Sequence, residues 1–170
     1  MKVLFIDVNA VKKKSIIDGN LDTDKIIWAI EQAQEIHVHN YLGTKLYEKL
    51  QDLIADDTIN DADNEKYKTL VTDYIQNMLI WFTQVEYLPF ANFKLTNGGV
   101  FKHESEADTQ ADTDDIAYLV KNCSNKAEYY AKRFVDFMCF NSSNYPEYRT
   151  NRNDDLYPDK DPSFNIGWVI

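Results

Sequence analysis

Five consecutive apolar residues, Met78-Leu79-Ile80-Trp81-Phe82, sit inside a stretch that otherwise repeats with helical period. The spacing predicts a helix from about Asp63 to Tyr87. Tyr67, Val71, Tyr74, Met78 and Val85 make one stripe, and Leu70, Ile75, Trp81 and Phe82 widen it. Within the run the apolar surface wraps most of the way round. A helix apolar on every side must be covered on every side, so this one is read as central, or as covered by a neighbouring subunit. Pro89 ends or kinks it.

The cover is expected from Asn20 to Ile54, which reads as two amphipathic helices joined at Leu42-Gly43-Thr44, with Asp22 or Thr23 as the opening cap. At the helical step, Ile26, Ile30, Ala33, His37 and Tyr41 fall within about 80° of one another, with Ile27 at the border. Gly43 suits the position just past a helix end, where the backbone turns left-handed. The second helix restarts with Leu46, Leu50 and Leu53 on one side, flanked by Tyr47 and Ile54. A hairpin with two apolar faces needs a third element on top of it.

Before the hairpin, Val3–Ile6 is a short extended run, and Asp7 or Asn9 caps a first helix over roughly Ala10–Asp18, stopped by Gly19-Asn20. Ala55–Asn64 is a polar linker. Leu95–Phe101 brackets Asn97-Gly98, the strongest short-range hairpin signal. His103–Asp115 carries six acids in thirteen residues and reads as a solvated loop. A last long helix is expected over about Asp114–Phe140, burying Ile116, Leu119, Val120, Cys123, Ala127, Tyr130, Phe134, Phe137 and Met138. From Asn141 the chain turns to Asn, Asp, Pro, Arg and Tyr and reads as an extended arm with no core of its own. It closes on an apolar tip at Phe164, Ile166, Trp168, Val169 and Ile170, which needs a surface to dock on. The expected fold is thus mainly α: a small bundle of four to five helices with a short β-hairpin near 95–101. Residues 1–140 form the helical domain, including the hairpin and acidic loop at 94–113, and residues 141–170 form the arm.

Twenty-eight acids against eighteen bases give a net charge of −10. A surface this negative does not condense on nucleic acid through phosphate neutralisation; it suits solubility, a channel through which DNA slides without sticking, or DNA mimicry. Lys12-Lys13-Lys14 is then read as a solvated face rather than a nucleic-acid patch. Cys123 and Cys139 lie sixteen residues apart on one expected helix, too far to bridge within it, and two free thiols suit a reducing cytoplasm. No secretory or membrane-spanning signal is read, so the chain is expected to be made inside the cell.

His37 and His39 invite a metal reading, but residues two apart on a helix point about 200° away from each other. His37 is read as a hydrogen-bonded core histidine. His39 shares the opposite face with Trp28, and an outward Trp beside a His is a candidate lateral interface. Asp61, Asp63 and Glu65 have the opening spacing of a calcium loop, but Lys66 replaces its glycine and Thr72 its closing glutamate. Glu104, Glu106, Asp108 and Asp112 fix no metal geometry. With no nucleophile, phosphate-loop, dinucleotide or zinc spacing, the chain is read as a non-enzyme without a cofactor.

The segment leading into a short helix, then Asn20-Leu21-Asp22, Ile30, Ala33-Gln34, Leu42-Gly43-Thr44 and Leu46-Tyr47, resembles the helical head–tail connector proteins of tailed bacteriophages. These adaptor or head-completion proteins have a branch in phages of Bacteroides-like bacteria. The order and spacing of the motifs over residues 3–54 carry the resemblance. It implies a ring, usually dodecameric, in the phage neck beneath the portal protein and next to further neck and tail proteins, made in the bacterial host cytoplasm. Duplex DNA would pass through without specific binding, with Glu104, Glu106, Asp108 and Asp112 facing the channel. The C-terminal tip would dock on a partner ring, since in the family this segment often engages the portal. The hairpin, acidic loop and long arm depart from the family's minimal pattern.

Two other readings stand beside it. One is an acidic DNA mimic or regulatory protein that blocks a basic partner, with affinity that falls steeply with salt. The other is an enzyme site assembled only by the fold, around His37 with Tyr and acidic neighbours.

Overall fold

The computed structural model describes residues 3–17, 22–91, 93–96, 99–102, 113–150 and 155–160. The Gly19-Asn20 stop, the Asn97-Gly98 turn, the acidic loop with Glu104, Glu106, Asp108 and Asp112, and the tip from Phe164 to Ile170 lie outside the described residues. The protein is mainly helical, with six helices among the described residues.

Helix α1 (Val8–Lys14) is capped by Asp7, whose side chain accepts from the Asn9 N–H at 3.2 Å. It stops at Lys14, one turn short of the expected Asp18. Ser15 Oγ takes the N–H of Ile17 at 3.1 Å, and Gln84 Oε1 takes that of Ile16 at 3.3 Å. Side chains that capture backbone donors compete with the next helical turn and end it.

Helix α2 starts at Thr23 behind an Asp22 cap and runs through Ala33, a π-helical turn at Gln34–Val38 and a last turn His39–Leu42. All five residues of the expected face are buried: Ile26, Ile30, Ala33, His37 and Tyr41. Gly43 then takes φ 71° and ψ 158°, a region essentially reserved for glycine. Helix α3 (Thr44–Ala55) restarts at once and buries Leu46, Tyr47, Leu50 and Leu53.

Helix α4 comprises Glu65–Thr69, a π-helical turn Leu70–Ile75 and Gln76–Tyr87. Met78, Leu79, Ile80, Phe82, Thr83, Gln84 and Val85 are buried, in every direction round the axis. Its cover comes from the same chain, because α4 packs against α2 and also against helix α5 (Thr113–Asn141). A backbone pair, Phe93–Thr96 with Gly99–Lys102, runs antiparallel with Thr96 opposite Gly99.

Two expectations need correction. The first is the buried face of α5. Cys123, Ala127, Phe134 and Met138 are buried, but Ile116, Val120, Tyr130 and Phe137 are only half-buried and Leu119 is exposed. Helical period finds the apolar stripe, but only partner length decides how far it is covered. The second is the arm. Residues 142–150 form a 3₁₀ turn and the short helix α6 (Pro146–Arg149), and they bury Tyr145 and Tyr148 in the core. Tyr145 Oη donates to the Lys66 carbonyl at 3.0 Å, and Glu147 accepts from Tyr67 Oη at 3.0 Å. Two rings three residues apart on one turn share a face, which outweighs the polar composition around them.

Candidate functional site

Trp28 and His39 do not form a joint surface. They are eleven residues apart on α2, about 16 Å along the axis. His39 turns inward at the α2–α3 junction, where it stacks on Tyr47 (centroids 4.3 Å apart) and hydrogen-bonds Thr44 Oγ1 at 3.1 Å. Trp28 instead meets the edge of Phe90 at 5.3 Å and 89°. Helices α4 and α5 run antiparallel, with Tyr74 stacked on Phe137, Lys126 over Trp81 and Cys123 against Gln84. One turn further this register sets Leu119 level with Leu88–Phe90, a segment α5 also packs against. One end of the bundle therefore carries Trp28 (41 % exposed), Phe90 (54 %) and Leu119 (37 %), with Phe93 (40 %) following in sequence. Of these, Trp28 and Phe90 touch, and exposed apolar groups in contact mark interaction surfaces better than single scattered ones.

A second arrangement went unseen in the sequence. Four glutamines from three helices grip the backbone of residues 3–17. Gln51 Oε1 accepts from the Val3 N–H at 2.6 Å, and Gln51 Nε2 donates to the Val3 carbonyl at 2.7 Å. Gln34 Nε2 donates to the same carbonyl at 2.9 Å, while its Oε1 accepts from the Phe5 N–H at 2.8 Å. Gln76 Nε2 donates to the Phe5 carbonyl at 2.9 Å, and Gln84 takes the Ile16 N–H as described above. Gln34 also donates to Tyr47 Oη, which donates to Glu35 at 2.6 Å. Burial, and then that acceptor carboxylate, raise the Tyr47 hydroxyl well above its ordinary pKa. One signal for this clamp was present: Gln84 and Gln34 sit among residues that must be buried, and a buried amide needs partners.

His37 is the core histidine expected, 5 % exposed and bonded through Nε2 to Glu86 Oε1 at 2.8 Å. Asp61 and Glu65 line an open polar hollow with Lys68 and Asp73. Among the described residues no three His, Cys, Asp or Glu side chains gather as metal ligands, and no helix is long and apolar enough to cross a membrane. The segment 155–160 lies along the α2–α3 junction, where Thr44 N–H donates to the Leu156 carbonyl at 3.0 Å and Asp159 N–H to the Asn40 carbonyl at 2.9 Å.

No curated protein and no solved structure matches the chain. One family model does, over residues 38–156, which span α3, α4, α5 and α6 and end at Leu156, whose carbonyl takes the Thr44 N–H. The chain therefore belongs to DUF6712, a family of unknown function.

Proposed function

We propose that this protein is a ring-forming structural subunit of a phage neck, a head–tail connector whose ring binds the portal and surrounds the exiting DNA. The exposed Trp28–Phe90 pair carries this reading on the structural side. An aromatic anchor at the end of a rigid bundle is what a repeated subunit contact needs, since aromatic residues concentrate binding energy in interfaces. The resemblance over residues 3–54 and the net charge of −10 agree with it, because an acidic wall gives the DNA backbone nothing to bind. The lateral contact is assigned to Trp28 with Phe90 and Leu119 in place of His39. Docking on the portal or a neighbouring ring is assigned to Phe164, Ile166, Trp168, Val169 and Ile170.

Negative-stain microscopy with light scattering, on the protein alone and mixed with its portal, tests the reading. Closed rings with a channel wide enough for duplex DNA are the expected result. A monomer that ignores the portal and instead binds a basic DNA-handling enzyme in a salt-sensitive way would overturn it in favour of DNA mimicry.

A further inference from the structure

The glutamine clamp is a peptide-binding groove with a peptide already in it. In an extended strand the N–H and C=O of residues i and i+2 face the same side, and an adjacent strand pairs with them there. Residues 3–6 form no strand, and the chain bends at Phe5 and Ile6, but Val3 and Phe5 have this spacing, and Gln51, Gln34 and Gln76 supply donors and acceptors of the kind a neighbouring strand would supply. Each glutamine side chain carries an acceptor oxygen and two N–H donors, so it serves as a piece of strand edge. Phe5 and Ile6 fill the apolar part of the groove at 2 % and 3 % exposure, Phe5 against Tyr47 with centroids 5.3 Å apart.

The attachment is also one-sided. Among the described residues, the backbone–backbone bonds of residues 3–17 outside the helical ladder stay within that segment, at the α1 cap. The bonds that hold it to the helices come from side-chain amides. Asp7 caps α1 directly after residues 3–6, so residues 3–14 form one arm. An arm held in this way finds the same groove, with the same bonds, on any copy of the chain, which is the condition for exchanging identical elements between protomers.

We infer that the groove formed by Gln34, Gln51 and Gln76 is an exchange site that accepts residues 3–6 of a second copy of this chain in place of its own. The swapped arm ties neighbouring subunits together. This goes beyond the connector reading, since exchange needs a second copy but neither a closed ring nor a portal.

Two singly substituted chains test it. Leu4 and Glu31 line one cleft, so one tagged chain carries Leu4→Cys and a differently tagged chain carries Glu31→Cys. Both carry Cys139→Ser to remove the exposed native thiol. After mixing at high concentration, a short thiol–thiol cross-linker is expected to give the mixed dimer. Phe5→Ala in the accepting chain weakens the resident arm and should raise the yield by at least about tenfold; in the donating chain it should lower it by a similar factor. If Phe5→Ala disrupts folding, Phe5→Leu shifts the yield in the same directions by less. Yields that are equal in all three pairings, or no mixed dimer at all, would overturn the proposal. Rings that form without mixed cross-links would overturn the exchange alone and leave the connector reading standing.

Discussion

The ring of His37 lies flat on Phe82, with centroids 4.1 Å apart and planes within 5° of parallel. It joins α2 to α4 at the middle of the bundle, and its Nε2 reaches Glu86 on the same helix as Phe82. His37→Ala removes the stack and leaves Glu86 without this partner, and should cost about 2–4 kcal/mol. His37→Gln keeps a polar tip but no ring, and should fall between the two. Urea midpoints of the three proteins check this; an alanine variant as stable as the parent would contradict it.

Helix α3 ends in a tight motif with the wrong residue for it. Thr58 N–H returns to the Leu53 carbonyl at 3.0 Å and Asp57 N–H to that of Ile54 at 3.2 Å, while Asp57 itself sits at φ 56°. That paired pattern closes helices, and its left-handed position favours glycine. Asp57→Gly should therefore stabilise the protein by about 1 kcal/mol, read as a higher thermal midpoint. A lower midpoint would mean that the carboxylate contributes more than the backbone strain costs.

Several phenols share one direction of pH dependence. Burial first, and then Glu147, push the Tyr67 hydroxyl up to about 12. Tyr47 and Tyr148 are also raised, in both cases chiefly by burial. The folded state thus holds its phenolic protons more tightly than the unfolded chain, whose tyrosines titrate near about 10. The stabilisation is complete below that pH and is lost as pH climbs through the folded values. The thermal midpoint should fall from about pH 10 upward, and less steeply in Tyr67→Phe. A midpoint that stays flat through this alkaline window would refute the assignment.

Phe90→Asp separates interface from core. Phe90 is 54 % exposed, so the substitution should change stability by no more than about 0.5 kcal/mol. It should sharply reduce self-association, as measured by light scattering across a concentration series. A large drop in thermal midpoint would instead show that the Trp28–Phe90 contact holds the monomer together.

Tyr148 meets Phe134 edge-on at 6.2 Å and is 3 % exposed. Tyr148→Ala should cost about 3–5 kcal/mol, the range for removing a buried aromatic ring. An arm that folds independently of the bundle would tolerate this change, so near-wild-type unfolding would restore the extended-arm reading.

What could be read in advance was whatever acts between near neighbours in sequence. Asp7 and Asp22 cap because their partners are two residues away. The faces of α2 and α4 follow from helical period. Gly43 turns the chain because of its missing Cβ. The tertiary structure decided the rest. Gln34 finds Phe5 across 29 residues and Gln76 finds it across 71, and no local pattern announces which backbone a buried amide will hold. Trp28 chose Phe90 over His39 because the α2–α3 junction turns His39 onto Tyr47. Tyr145 and Tyr148 entered the core because α4 and α5 leave a place that two rings fill. Period and capping are short-range and belong to the sequence. Which faces meet depends on the arrangement of whole helices, and that exists only once the chain has folded.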